Sequence, residues 1–193
     1  KFRNSKTAWV ELSQASGLSL IGEKNRNPGL TSTYGTGLSI NHAIKSGCSE
    51  IILSLGGSAT NDAGAGIFQA LGGKLLDENN KQIGRGCESL IKIKQIKTPK
   101  YLNNIKFQIA YDVSNPLLGI NGATKTYSSQ KGATLDQIEK LEKNIFHFSH
   151  IVKKDLKVDI TKIEGGGSAG GTAAGLYGLL GAELTNGFKL IAE

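Results

Sequence analysis

Methionine is absent from this chain of 193 residues, and cysteine, tryptophan and proline are scarce, with two, one and three copies. The two cysteines, Cys48 and Cys87, lack the paired spacing of zinc ligands, which argues against a structural zinc site. Cysteine used this sparingly is typical of a reduced compartment, and we predict a cytoplasmic protein. A sequence without even an initiator methionine is expected to be a fragment or a processed chain.

Long hydrophobic runs are missing as well. No stretch approaches the roughly 18 consecutive apolar residues of a membrane span. The basic start at residues 1–6 has no apolar segment behind it, so we predict neither a signal peptide nor a membrane partner. The composition, 38% hydrophobic and 20% charged, is ordinary for a soluble globular protein. A chain of this length can bury a core within one domain, with or without a small attached lobe.

Aromatic residues make up only 6% of the chain, although its net charge is +7. The positive charge comes mainly from lysines that are scattered along the sequence. Because no aromatic side chains are interleaved with basic ones in a stacking motif, we predict no nucleic-acid partner. The same charge would help to attract small molecules that carry phosphate groups.

Segments with strand character alternate with segments with helix character, which predicts an α/β fold with helices flanking a sheet. Continuous apolar runs predict strands over residues 50–55 and 105–113, the first with the pattern of a sheet buried on both faces. A capping box at Thr134 opens the longest predicted helix, which runs to about residue 154. A hairpin predicted over residues 74–83 favours a mixed sheet. Further predictions are helices over residues 7–16, 38–44, 62–71 and 172–180, and a last strand within residues 184–191.

The segment 56–62 is the first candidate site, because a strand ends there in two glycines and several small polar residues before a helix pattern begins. Helix N-termini bind anions, since their first amide groups lack internal partners and carry partial positive charge. The P-loop and dinucleotide-binding motifs are absent. A plain tight turn with Asp62 as an N-cap is the alternative. The candidate ligands for substrate or phosphate oxygens are Gly57, Ser58, Thr60 and Asn61.

Two further segments are candidate binding sites. Asp112 lies at the end of the second predicted strand, where open α/β sheets bind ligands, and Asn115 follows it; turn chemistry would explain both equally well. The glycine-rich run at residues 165–171 precedes another predicted helix and would form a phosphate cradle, unless it is a flexible surface loop. Two such loops and two strand-end aspartates favour a phosphorylated ligand or phosphoryl transfer. The candidate ligands in the run are Gly166, Gly167, Gly170 and Gly171.

Five stretches of this sequence occur together, and in this order, in one known family. They are residues 31–37, 56–62, 112–119, 130–134 and 165–171. In these motifs the chain resembles the type I glycerate kinases, bacterial enzymes that move the γ-phosphoryl group of ATP onto a hydroxyl group of glycerate. The likeness extends from about residue 7 to residue 192. Ala63, Tyr111 and Ser168 depart from the residues that are common at these positions in the family.

The resemblance implies a two-domain kinase with its active site in the cleft between the domains, and it implies that residues 1–193 are the central domain. Family members usually open with a segment around Asp-Ser-Phe-Lys-Gly and carry a second acidic, glycine-containing segment near their C-terminus. Neither segment occurs in this sequence. We therefore expect this chain by itself to be inactive as a kinase.

The resemblance also implies cofactors, partners and residue roles. The cofactors are ATP and Mg²⁺, the substrate is D-glycerate, and a homodimer is a possible assembly. Asp62 is expected to orient or deprotonate the attacking hydroxyl, with Asp112 as the other catalytic acid; either carboxylate would hold Mg²⁺. Ser58, Thr60 and Asn61 would hold glycerate or phosphate oxygens. Lys131 would neutralise charge on the transferred phosphoryl group.

Two alternatives stay open at the level of the sequence. In the first, the chain is a non-catalytic domain that binds glycerate or a nucleotide. In the second, it belongs to another enzyme that binds sugar phosphates. The motifs do not distinguish a 2-phosphoglycerate product from a 3-phosphoglycerate product, nor do they assign ATP and glycerate to one domain or the other.

Overall fold

The computed structural model describes residues 6–187, which form two sheets and six α-helices. The strands are β1 (Thr7–Glu11), β2 (Glu50–Ser54), β3 (Lys74–Leu76), β4 (Gln95–Lys97), β5 (Lys106–Tyr111) and β6 (Glu183–Asn186). The helices are α1 (Ser13–Ser16), α2 (Tyr34–Lys45), α3 (Ala65–Ala70), α4 (Ala123–Tyr127), α5 (Leu135–Leu156) and α6 (Ser168–Leu180). Short 3₁₀ turns occupy Leu18–Leu20, Glu23–Asn25, Cys87–Lys92, Lys100–Asn104 and Ser129–Lys131.

The larger sheet has four strands in the order β1-β2-β5-β6, and every pair in it is parallel. The smaller sheet joins β3 and β4 in antiparallel fashion. The predicted α/β class with flanking helices is confirmed. The parallel and antiparallel strand pairs expected of a mixed sheet are both present, but they lie in two separate sheets.

The four-stranded sheet has one well-buried face and one partly open face. Along β2, Ile51 and Leu53 are buried, whereas the alternate side chains are half-buried. On the same open face, Trp9 of β1 is 41% exposed. The prediction of a sheet buried on both faces is therefore met on one face only within residues 6–187.

A layer of helices separates two hydrophobic clusters. In the first cluster, side chains of α2, α3 and α6 such as Ile40, Ile67 and Leu176 pack on the buried face of the sheet. In the second, the opposite sides of α3 and α6 pack against α5 and the small sheet, with Phe68 and Phe148 at its centre. The order of layers is thus the parallel sheet, then α2, α3 and α6, then α5 with β3 and β4. None of the helices within the described range has the length and apolarity needed to cross a membrane.

The sequence pattern assigns the wrong structure to residues 7–16. A helix is predicted there, but the chain forms β1 followed by the single helical turn α1. β1 pairs in parallel with β2 along its whole length, from Thr7 beside Glu50 to Glu11 beside Ser54. Threonine, tryptophan and valine suit a strand, and pairing with a distant partner outweighs a weak helical pattern.

Three other predictions need adjustment. The turn after β3 forms, with Ile83 N donating to Leu75 O, but the partner strand of β3 is β4, which the sequence pattern does not reveal. The helix predicted from Asp62 begins three residues later, at Ala65, because Ala63 and Gly64 adopt left-handed backbone conformations. The last strand begins at Glu183, and the part of its prediction beyond residue 187 lies outside the described residues.

The longest helix follows its prediction closely. The Thr134 side chain accepts from Gln137 N at 3.3 Å, and the Gln137 side chain accepts from Thr134 N at 2.9 Å, which is a complete capping box. All members of the predicted stripe are buried: Ile138, Leu141, Ile145, Phe148 and Val152.

Candidate functional site

A cavity of about 290 Å³ lies at the carboxyl ends of β2 and β5. Because these neighbouring strands are parallel, the residues that follow them meet at one edge of the sheet, where open α/β sheets bind ligands. The cavity is lined by Leu18, Leu55, Gly56, Gly57, Ser58, Asp112, Val113, Tyr127, Gln130, Lys131, Ala169 and Gly170. The fold therefore brings together segments that are far apart in the sequence.

The segment after β2 presents free amide groups to this cavity. Within residues 6–187, the backbone amides of Gly56, Gly57 and Ser58 donate no hydrogen bond, whereas the next amide, of Ala59, donates to Ser16 O. Gly56 and Gly57 are exposed, and Leu18 N holds the loop in place by donating to Gly57 O at 2.8 Å. Three consecutive unpaired amides in a concave surface are suited to anionic oxygens.

Lys131 brings a buried positive charge to the same cavity. It ends the last 3₁₀ turn before α5, and its side chain is 3% exposed in total. The ammonium group donates to Ser58 Oγ at 2.8 Å and to Thr60 O at 2.7 Å. Burial lowers the pKa of Lys131 to about 8, and the negative charge of Asp62 partly opposes this change. At neutral pH the cavity therefore has a cationic wall.

Asp112 supplies the negative charge of the cavity. It follows β5 directly and is exposed. Asn115, three residues further on, does not line the cavity; its amide donates to Asn121 O, and its Oδ1 accepts from the hydroxyl of Tyr127 at 2.7 Å. Asn115 thus holds the cavity-lining ring of Tyr127 in position.

Asp62 is fully buried and does not line the cavity. Its carboxylate accepts five hydrogen bonds, from the Ser32 hydroxyl, from the amide and hydroxyl of Thr33, and from the amides of Gly64 and Gly66. Burial raises its pKa, and the hydrogen bonds from Thr33, Gly66 and Ser32 act in the opposite direction. The residue joins the N-terminal ends of α2 and α3, since it accepts from Thr33 just before α2 and from Gly64 and Gly66 at the start of α3.

Thr60 and Asn61 also point away from the cavity. The Asn61 amide donates to Thr124 Oγ1 at 3.1 Å within the core, while its Oδ1 has no partner among the described residues. The Thr60 hydroxyl is buried and has no hydrogen-bond partner among the described residues. The carbonyl oxygen of Thr60 accepts the hydrogen bond from Lys131. Of the four residues predicted as ligands in this segment, Gly57 and Ser58 line the cavity, and Thr60 and Asn61 do not.

The second glycine run packs closely against the first segment. A Cβ atom added at Gly170 would lie 2.1 Å from Thr60 O, and one added at Gly167 would lie 2.4 Å from Pro116 O. Gly166 and Gly171 are buried as well, and Gly171 lies against the side chain of Leu117. Only Ala169 and Gly170 of this run reach the cavity. Most of the glycines in this run therefore allow two backbone segments to pack closely together. The run is mostly buried, so it is not an exposed surface loop, and only part of it lines the cavity.

Sequence reasoning missed several residues of the cavity wall. Tyr127 and Leu18 lie in segments with no motif, and only the fold reveals their position. Gln130 precedes Lys131 within the motif at residues 130–134, and this position is a sequence signal for its place in the cavity wall. Among the described residues, no group of three or more histidine, cysteine or acidic side chains converges as a metal site would require.

A parallel sheet flanked by helices, with a cavity at its carboxyl edge, defines the chain as an open α/β domain, the class in which ligands bind at this edge. Residues 1–193 match the model of the Glycerate kinase family over their whole length, and the chain belongs to this family.

Individual relatives agree with this assignment. The chain is 44% identical over 191 residues to a glycerate kinase of Halalkalibacterium halodurans and 43% identical over 192 residues to the glycerate 2-kinase of Escherichia coli K12. Each alignment covers 97% of this chain and 50% of the relative. A crystal structure described as a candidate glycerate kinase 2 from Salmonella typhimurium LT2 superposes with a TM-score of 0.92 at 39% identity, covering 97% of this chain and 51% of that one. The chain spans about half the length of the curated relatives it matches.

Proposed function

We propose that this chain is the central domain of an ATP-dependent glycerate kinase, which transfers the γ-phosphoryl group of ATP to a hydroxyl group of D-glycerate. The observation that carries the proposal is the cavity at the carboxyl edge of the sheet, which combines three unpaired amides, a buried lysine and an exposed carboxylate. Phosphoryl transfer needs positioning and charge stabilisation more than covalent chemistry, and these groups provide both.

The amides at residues 56–58 and the Lys131 ammonium group form the anion-binding side of the cavity. They would hold the carboxylate of glycerate or the oxygens of the transferred phosphoryl group. Their positions are fixed before the ligand arrives, because Lys131 is anchored on Ser58 and Thr60. Donors that are already oriented stabilise developing negative charge without reorganisation.

Asp112 is the group we propose to act on the attacking hydroxyl. An exposed carboxylate opposite an anion-binding wall can orient a substrate hydroxyl and accept its proton. It would also supply an oxygen ligand to Mg²⁺, with phosphate and water oxygens completing the coordination, and the bound ion would neutralise phosphate charge. Asp62 is too deeply buried for either role, and we propose that it supports the cavity from behind.

Two further properties belong to the proposal. Cys48 and Cys87 are both buried and free, which suits a cytoplasmic enzyme.

A homodimer is proposed from the family resemblance, and sedimentation of the purified protein would test it.

Replacement of Asp112 tests the proposed function. In the protein expressed from its complete reading frame, we expect Asp112→Asn to lower glycerate-dependent ADP formation about a hundredfold or more, because the hydroxyl loses its proton acceptor. Asp136→Asn, at an exposed aspartate in the first turn of α5, is the matched control and should retain full activity. Near-normal turnover by Asp112→Asn would reject its catalytic role.

The chain of 193 residues can be assayed by itself to separate the kinase from a binding module. Saturable binding of glycerate or ATP without turnover would favour a binding role for this part. Turnover would reject that alternative, and preferential binding of sugar phosphates over glycerate would point to a different substrate class.

A further inference from the structure

Ser58 and Lys131 form a close pair whose geometry also suits a second kind of chemistry, besides the role of Lys131 in the proposed phosphoryl transfer. The Lys131 Nζ lies 2.8 Å from Ser58 Oγ, and both residues line the cavity although each is almost fully buried. We propose that Ser58 and Lys131 form a serine–lysine dyad that accepts the acyl group of small activated carboxylic esters, a second activity of this cavity. A serine with an adjacent lysine base is one of the known arrangements of an activated nucleophile.

The backbone beside Ser58 has the donors that acyl transfer needs. The unpaired amides of Gly56 and Ser58 stand two residues apart, the same spacing as the pair of amides that stabilises the oxyanion in chymotrypsin-like proteases. Both amides belong to residues that line the cavity, as Ser58 Oγ and Lys131 do. The nucleophile, the base and the candidate oxyanion donors thus belong to residues of one cavity.

Lys131 acts as a base only when it has lost its proton. Burial favours the uncharged form of the side chain, whereas the negative charge of Asp62 favours the charged form. The charged or titratable groups near it are Asp62, which acts on it electrostatically, and Asp112 and Tyr127, which line the same cavity. With a pKa of about 8, Lys131 is mainly protonated at neutral pH and mainly uncharged only above about pH 8, so acyl transfer should rise through this range.

The step can be written with 4-nitrophenyl acetate as the ester. The lone pair of Ser58 Oγ forms a bond to the acetyl carbon, and the hydroxyl proton passes to Lys131 Nζ. The oxyanion then collapses, the bond between carbon and the aryl oxygen breaks, and 4-nitrophenolate leaves with its electron pair. Acetyl-Ser58 remains, and water hydrolyses it in a second, slower step. No oxidant or further reactant is involved.

The test is a burst of 4-nitrophenolate from the purified chain, followed by mass spectrometry of its peptides. We expect a burst of about one equivalent, acetyl on Ser58, and loss of both in Ser58→Ala. Lys131→Arg keeps the charge and the donors but cannot act as a base, and it should slow acylation about a hundredfold or more. Ser114→Ala, at an exposed serine outside the cavity, is the control and should behave as the unchanged chain does.

Several results would overturn the proposal. They are the absence of a burst, acetyl found on Lys131 or on another residue in place of Ser58, and an equal rate in Lys131→Arg. If Lys131→Arg does not fold, the pH profile of the unchanged chain decides the question. A rate that levels off after a midpoint near the pKa of Lys131 supports the dyad, whereas a rate simply proportional to hydroxide concentration contradicts it. Kinase activity is measured separately, so neither proposal depends on the other.

Discussion

At the scale of single residues, two side chains of opposite charge determine the character of the site. Asp62 and Lys131 are the charged side chains that are buried within residues 6–187. They interact electrostatically, and each is held by hydrogen bonds from or to the segment around residues 58–66. Burial of an ionised group is unfavourable unless hydrogen bonds compensate it, and here Asp62 accepts five hydrogen bonds while Lys131 donates two.

The pH dependence of stability should reveal the buried state of Lys131. Its pKa is lowered from 10.5 to about 8, so between these values the unfolded chain binds more protons than the folded chain does. The free energy of unfolding should therefore rise from about pH 8 to about pH 10.5 through this residue. Lys131→Met removes the group, and its stability should rise less over the same range. Urea unfolding of both proteins measures the difference, and parallel curves would contradict a buried lysine.

Asp62→Asn should lower stability more than any exposed substitution. The asparagine cannot accept the hydrogen bonds from Thr33, Gly64 and Gly66 equally well, and Lys131 loses its neighbouring charge. Breaking a buried charged network in this way costs about 3 to 5 kcal/mol. Urea unfolding gives the value, with Asp136→Asn as the exposed control. A change below about 1 kcal/mol would show that the network is dispensable.

At the scale of elements, the glycine run before α6 determines how closely two backbones approach. Gly170 combines a left-handed φ of 67° with the short approach to Thr60 O. Gly181, at the other end of α6, has a similar φ of 65°, but a Cβ there would meet nothing within 4 Å. The two positions share the backbone conformation and differ in crowding.

Alanine at these two glycines separates backbone strain from crowding. Gly181→Ala should lower the free energy of unfolding by about 1 to 2 kcal/mol, which is the energetic cost of the left-handed conformation alone. Gly170→Ala should cost about 3 kcal/mol or more, because Thr60 O must also move. Denaturant unfolding of both variants provides the comparison, and equal losses would mean that the glycine run adapts to an added methyl group.

The elements also show what the sequence can and cannot predict. The strand at β2, the end of β5 just before Asp112 and the capped start of α5 follow from local patterns, since apolar runs and capping boxes act within a few residues. The strand β1 and the pairing of β3 with β4 depend on distant partners, and local patterns do not contain that information. The same reason explains the site: the pattern places Asp62 and Ser58 in one motif, but only packing decides that Asp62 faces the core and Ser58 the cavity.

At the scale of the whole molecule, ligand binding and folding should be linked. A ligand that binds only the folded chain stabilises it by about 2.7 kcal/mol at a concentration one hundred times its Kd. We expect D-glycerate to raise the urea midpoint of the unchanged chain and to have little effect on Lys131→Met. Glycerol lacks the carboxylate and is the matched control. Equal stabilisation by glycerol would show that the cavity does not recognise the anionic group.

The order of strands in the large sheet, β1-β2-β5-β6, is also their order along the chain. During synthesis on the ribosome, each new strand of this sheet can therefore add to an edge that already exists, and no earlier pairing has to open for it. The residues that line the cavity are likewise synthesised one segment after another. The segments near residues 18, 56, 112 and 131 come first, and Ala169 and Gly170 come last. Because Ala169 and Gly170 are the last of these residues to be synthesised, the binding surface can be completed only after most of the scaffold has left the ribosome.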